Sequence, residues 1–599
     1  MTFDPRAVTA SLVENLADAS AFWGWITSGH DLVAFDIETD GLNWYDGKIR
    51  LAQFGDLNSG WAIPFEWWPG LVREALEYLK AKGTIIVGHN IGGFDLTWAR
   101  RHTGFTPDWG KVHDAMLLCG LIDSAGSKSL KDNAEAYVHP VAKIGQQMLD
   151  DDKKKYGFDW ASVPVNLPSY WFYGVMDCVL TANLFVTLLP IATNVGVMNA
   201  YETERHTEKV LHQISFNGML VDQEHCLQEM DTLADRIQEI EAQVWKEYGL
   251  ENIGSTPQLS QVFQNTGVKL TVMTPGGAYA MNKDALAVVA AENPDHHLVG
   301  LVTEYRRAVK YRNTYYAGVL DTVRSDGRCH SSYRQMSART LRMSVTDPPI
   351  QTFPRANTDP GVRNAFISAD GCSFISADQS NIEARLFSIL APDLGMQQVI
   401  REGRDMHCWI AGVMYNGGVP IEKKDPRRDR AKNSFFATIY GTGAETLAGT
   451  AGISVDEAQT TLKLIKRAFP SIMAHAKAMT TEAVMLENDT GRAGIRLKDG
   501  RLLRDYANTD KYYQYANYSI QGTARMILAQ RLNAMDNAGI MDKAVAVIHD
   551  EVVFEVPDDE VDDYTEAIGE YFPDHETFEE LPMLVGIGKP CKRWGEADH

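Results

Sequence analysis

Apolar positions along the 599-residue chain change their spacing repeatedly, and each change predicts an element. Residues 32–38 read as a buried strand, with Asp36 and Glu38 two apart and therefore on one face. A second apolar run from Thr84 leads into a turn carrying Gly92 and Gly93, which delivers Asp95. Tyr173 and Asp177 sit four apart on one helix face. From Val179 to Ala200 no residue is charged, a length that would span a bilayer. Thr181, Asn183, Thr187, Pro190, Thr193 and Asn194 interrupt it, so the stretch predicts a buried helix and a connector. Residues 201–250 follow at helical period, broken at Asn217 and Gly218. Residues 374–378 read as a strand ending in an acid, then a helix start. Between 428 and 441, Arg428, Lys432, Phe436 and Tyr440 recur every four residues, a slanted stripe along one helix. Near the C-terminus, two β-branched runs flank His549, Asp550 and Glu551, the pattern of a tight hairpin.

The length implies three or four domain-sized units. A hydrophobic content of 45% with 23% charged residues is that of a soluble globular protein. Lys+Arg number 57 against Asp+Glu 79, a net charge of −22. That disfavours a nucleic-acid coat protein held by bulk positive charge, but not a DNA enzyme with a local basic groove. Seven cysteines without C-x-x-C spacing point to a reducing setting and no structural zinc. The N-terminus lacks a basic flank followed by an apolar core, so no signal peptide is expected.

The acids change the picture. Asp550 and Glu551 at a hairpin tip repel one another and resist burial, and a divalent cation would reverse that cost. Taken alone, the tripeptide is as readily a solvated turn. Asp36 and Glu38 on one strand face pose the same problem. With Asp95, Tyr173 and Asp177 they resemble the three exonuclease motifs of the DEDD superfamily, in the version with a tyrosine. The resemblance implies that Asp36, Glu38, Asp95 and Asp177 hold two Mg2+ ions for in-line phosphodiester hydrolysis, with Tyr173 orienting the water. Asp114 either assists this group or caps the helix after it.

Further along, the hairpin around Asp550 resembles motif C of family A DNA polymerases, and Asp378 falls in the likeness of motif A. Both are implied metal ligands for two Mg2+ ions, with Mn2+ as a substitute, and Glu551 is implied in support. Glu383 matches the family's steric gate against ribose. The stripe Arg428, Lys432, Phe436, Tyr440 resembles motif B, the O-helix of the fingers: cations for phosphates, rings for base and sugar. His407 resembles the histidine that contacts the triphosphate, with a structural histidine as the alternative. Arg342 matches the arginine that reaches the minor groove; Asn517 and Gln521 match primer–template contacts. Gln379 stands where the family usually has tyrosine, and Leu341 where it has glycine. His599 matches a C-terminal histidine that packs near the site.

The resemblance runs from Asp36 to His599 and implies an α/β multi-domain protein. A ribonuclease H-like exonuclease domain, 1–195, would precede a right-hand polymerase domain, 196–599. The thumb is expected at about 200–340, the palm at about 341–404 and 521–599, and the fingers at about 405–520. Residues from Ser255 to Leu259 and Thr274 to Gly277 match loops after the thumb helices. No 5′-nuclease domain and no thioredoxin-type processivity partner are expected. The implied protein is a monomer of compact phage type acting on primer–template DNA, dNTPs and single-stranded 3′ ends in a bacterial cytoplasm.

Overall fold

The computed structural model describes residues 7–356, 359–439, 441–451, 453–505, 514–579 and 581–597. Tyr440 and His599 lie outside the described residues.

The first third is built on a six-stranded sheet: β1 (Thr9–Leu12), β2 (Leu32–Thr39), β3 (Ile49–Gly55), β4 (Ser59–Pro64), β5 (Ile85–Gly88) and β6 (Val112–Asp114), ordered β1-β4-β3-β2-β5-β6. β2, β3 and β4 are antiparallel, while β5 and β6 run parallel to β2. Phe35, Phe54, Leu76 and Trp98 fill one face. The helix Pro168–Asn194 covers the other. This helix is long and apolar enough to cross a membrane, yet it packs against sheet and helices with Asp177, Cys178, Val179 and Leu180 buried. The expected buried helix and connector are therefore present, the connector being the turn through Gly196, whose φ of 74° suits glycine.

The second sheet has four antiparallel strands in the order Ala544–Ile548, Glu551–Pro557, Cys372–Gln379, Val585–Ile587. Two strands meet through the two-residue turn His549–Asp550, and His549 takes a φ of 58° there. The expected hairpin is present, although Glu551 belongs to its second strand and not to its tip. Beneath this sheet the helices Met198–Asn217 and Gln514–Asn537 pack on each other.

One sequence expectation, a loop at 255–259, is corrected here. The helix Met198–Asn217, at the start of the expected thumb, packs against Gln514–Asn537 and the strand Ala544–Ile548. Its apolar face, with Val210, Leu211 and Ile214 buried, has a partner on both sides, and the arm starts only at Gln223–Tyr248. Residues 255–259 do not form a loop: Ser255 stands before the helix Thr256–Asn265, with Pro257 in its first turn, where a missing N–H costs nothing. The helix Gln514–Asn537 runs unbroken through the expected fingers–palm boundary at about 521.

A third group of helices, including Ile382–Leu390, Met406–Tyr415 and Arg427–Ile439, shares a core of Phe387, Met396, Ile410 and Phe435. Its outer helix Ala444–Ala451 meets the arm's helix Lys283–Glu292, burying Val288, Leu447 and Ala448. Gly449 has no side chain because one would overlap Asp284. Arm and third group thus touch through these two helices.

Candidate active sites

The first site is assembled on β2. Asp36, Glu38 and Asp177 bring carboxylate oxygens within 4.8 Å of one another. Asp95, at the start of the helix Asp95–Thr103, is 2% exposed and accepts a hydrogen bond from the Ile37 N–H at 3.0 Å. It thereby pins the backbone between the two acids of β2. Asp114 accepts from the N–H groups of Asn90 and Ile91 at 3.0 and 3.2 Å and from Met116 at 2.6 Å, so it caps its helix and braces the turn that carries Asp95. The capping alternative describes it.

Burial pushes Asp36 up to about 7, with Lys131 pulling the other way. Burial and then the charge of Asp36 hold Glu38 and Asp95 well above the usual carboxylate range. Tyr173 is raised by burial and next by Glu38, so its phenol keeps its proton. Three carboxyl groups that burial holds to their protons, beside the Asp177 carboxylate, suit a hard divalent cation, and their all-oxygen donor set fits Mg2+ or Mn2+.

The second site lies where Cys372–Gln379 and Glu551–Pro557 run side by side, with Asp378 directly opposite Glu551 and Asp550 one residue before it. Both catalytic-acid candidates thus reach one edge of one sheet, as expected of neighbouring strands. Burial and then Asp550 push Asp378 up to about 8, and burial raises Asp550 too. Asp378 Oδ1 is buried and, among the described residues, receives no hydrogen bond from an N–H or hydroxyl group. This oxygen pair also fits a divalent cation. Glu551 faces elsewhere: it accepts from Ser376 Oγ at 2.7 Å, Trp594 Nε1 at 3.0 Å and Arg363 Nη1 at 3.1 Å. Its bonds secure the strand pair that presents Asp378.

A cleft of about 300 Å³ opens over Asp378 and Asp550, and Lys432, Phe436, His407, Glu383 and Arg342 also line it. Lys432 and Phe436 lie on the helix Arg427–Ile439, one turn apart. Arg428, a turn earlier, is held by Asp405 at 2.7 Å. Burial and then Arg355 and Arg428 lower Lys432 from its usual value. His407 Nε2 lies 3.2 Å from Asn381 Oδ1, and burial lowers its pKa to about 4, so the ring is neutral near pH 7. Asn517 and Gln521 continue a stripe on the helix Gln514–Asn537 whose next turns, Ala524 and Leu528, line the same cleft. Neither amide lines the cleft itself.

Sequence reasoning missed three groups. Arg355 lines the cleft and its charge favours ionised Asp378 and Asp550. It sits on an irregular segment after Pro354, where no periodicity signals a site. Gln53 stands opposite Asp36 in register, fully buried with its amide unpartnered, and Gly174 leaves it room. Lys131 forms an ion pair with Asp177 inside the first site.

Two family models divide the chain: "3′-5′ exonuclease" matches residues 10–192 and "DNA polymerase family A" matches 223–596. The DNA polymerases of Mycobacterium phages D29 and L5 are 29% and 28% identical to it over 612 residues, covering 98% of this chain and 97% of theirs. DNA polymerase I of Pseudomonas aeruginosa is 28% identical over 615 residues, covering 97% of this chain and 65% of its own. In fold, the chain resembles the POL domain of Pol1 from M. smegmatis, solved with DNA primer-template and dNTP. The TM-score is 0.80 at 22% identity, covering 98% of this chain and 100% of that one. With one carboxylate centre inside each matched region, the chain belongs to DNA polymerase family A and carries a 3′–5′ exonuclease domain ahead of its polymerase domain.

Proposed function

We propose that the chain extends a DNA primer with dNTPs at Asp378 and Asp550 and removes mispaired 3′ ends at Asp36, Glu38, Asp95 and Asp177. The observation that carries the polymerase site is the convergence of Asp378 and Asp550, from neighbouring strands, on a cleft lined by Lys432 and Phe436. Two Mg2+ ions per site would supply activation of the attacking oxygen and charge neutralisation on the leaving one. Lys432 and Arg428 draw in the triphosphate, and the Asp405 carboxylate aims the Arg428 guanidinium. The Phe436 ring packs on the incoming sugar, Glu383 fills the space beside its C2′, and neutral His407 donates a hydrogen bond to a phosphate oxygen. Arg342, Asn517 and Gln521 contact the primer–template.

In the exonuclease domain Tyr173 orients water and Asp95 stiffens β2 beneath the reacting group. The thumb, palm and fingers follow the arm, the second sheet and the third helix group. Near-full-length likeness to two phage DNA polymerases supports replication of phage DNA in a bacterial cytoplasm. The protein acts as a monomer without a thioredoxin-type partner. The direct test is primer extension with Mg2+ on matched and mismatched primers, with and without dNTPs. The reading requires extension of the matched primer and trimming of the mismatched one; failure of either with folded protein contradicts it.

A further inference from the structure

The exonuclease site contains a lysine with no assigned role. Lys131 lies in the first turn of the helix Leu130–Tyr137, entered through the Ser129 cap, and is only 8% exposed. Its ammonium group pairs with Asp177 Oδ1. It also sits over the Tyr173 ring, 4.5 Å from the centroid. Tyr173 also meets Trp160, the ring centroids being 6.2 Å apart, and Lys153 lies over Trp160 at 3.5 Å. Tyr173 is therefore in contact with both a cation and an indole.

A buried ammonium ion is costly unless it is paired, and removing one partner of such a pair leaves the other's charge uncompensated. Here the partners are the groups assigned to catalysis. Asp177 would otherwise be free to rotate about its side chain, and Tyr173 has a cation–π contact that fixes its ring plane. The charge also opposes metal entry, because Asp177 Oδ1 is shared between the ammonium group and any cation the carboxylates bind. Lys131 thus has two opposed effects, better geometry for cleavage and weaker affinity for bare metal.

We propose that Lys131 is a positioning residue of the exonuclease reaction, setting Asp177 and Tyr173 in their working orientation while competing with the divalent cation for Asp177. This rests on the exonuclease site proposed above. A group that merely stabilised the domain would, when lost, weaken metal binding and cleavage together. Lys131 separates them.

The test uses the full chain with Lys131→Met and Lys131→Arg. Mn2+ alone is titrated by electron paramagnetic resonance, in an Asp378→Ala background that silences the polymerase site. Single-stranded DNA degradation and matched-primer extension are measured without that background change. Lys131→Met should bind Mn2+ roughly tenfold tighter, the loss of one unit charge near a divalent ion in a water-like dielectric. Its kcat for degradation should fall roughly a hundredfold or more, as expected of misplaced catalytic groups, with KM little changed. Lys131→Arg should recover a large part of kcat, and extension by both variants should match wild type. Degradation by Lys131→Met within twofold of wild type overturns the proposal. So does Mn2+ binding that weakens in step with activity. An Asp36→Ala, Glu38→Ala control that still degrades DNA would instead remove the underlying site, and the inference with it.

Discussion

Arg342 pairs directly with Glu383 across the polymerase cleft, guanidinium to carboxylate. The two residues were assigned separate duties, one at the primer's minor groove and one beside the incoming sugar. Their ion pair couples those duties, since whatever moves Glu383 also releases Arg342. Glu383→Ala should therefore lower the ratio of kcat/KM for a dNTP over its rNTP tenfold or more, and raise KM for primer–template in the same variant. An unchanged nucleotide ratio would take Glu383 out of the sugar gate. A relaxed ratio with unchanged DNA affinity would show that the ion pair has no part in holding the primer.

Phe436 and Phe435 are neighbours with different environments. Phe435 is fully buried, edge-on to Phe387 at 5.5 Å and Phe469 at 5.2 Å. Phe436 lines the cleft, 5.9 Å from the His407 ring. Only the second can reach a nucleotide. A dideoxynucleotide lacks the 3′-hydroxyl that would lie against its own triphosphate, and phenylalanine cannot replace it. Phe436→Tyr should restore a hydroxyl there. One hydrogen bond to a charged phosphate is worth roughly 1.5–3 kcal/mol, so incorporation of chain terminators should rise tenfold or more. Wild-type rejection of terminators by the Tyr variant would show that the ring does not face the sugar.

Glu204 is wholly buried between two arginines, 3.0 Å from Arg501 and 2.6 Å from Arg525. It sits on the helix Met198–Asn217, Arg525 lines the polymerase cleft, and Glu208 one turn on accepts from the Gly92 N–H of the exonuclease turn at 2.9 Å. Glu204→Gln keeps the shape and removes the charge, taking the carboxylate partner from buried Arg525 and leaving Arg501 with Asp499 at 2.7 Å. The expected cost is about 3–5 kcal/mol, read as a lower urea midpoint of the full chain. An unchanged midpoint would mean that water or Asp499 compensates.

Val288 of the arm shares a buried apolar cluster with Leu447 and Ala448 of the third helix group, and if that contact closes around DNA it should slow release of the primer–template. Val288→Asp puts a charge into that apolar contact. The variant should release primer–template several-fold faster in stopped flow, with single-turnover incorporation little changed. Equal release rates would show that the contact does not hold DNA.

Much of this arrangement was legible in the chain because its signals are local. The two-residue spacing of Asp36 and Glu38, the four-residue spacing of Tyr173 and Asp177, and the apolar runs around Asp550 each declare an element and a face. What stayed hidden depends on tertiary contact. Lys131 looks like any helix lysine until Asp177 is brought beside it. Arg355 lies on a segment without period, and the supporting role of Glu551 gains its partners only in the fold, where Arg363, Ser376 and Trp594 donate to it. The helix Met198–Asn217 has the pattern of an arm, and only its second partner shows that it belongs to the body. Periodicity identifies a buried face but not what buries it.

The central claim is that two separate carboxylate centres perform two separate reactions. Its most direct measurement follows one labelled primer–template with Mg2+, scoring extension and degradation in wild type, in Asp36→Ala with Glu38→Ala, and in Asp378→Ala. The account predicts that the first variant extends near the wild-type rate without degrading, and that the second degrades near the wild-type rate without extending. Loss of both activities from either change, in protein that unfolds at the wild-type midpoint, would contradict it.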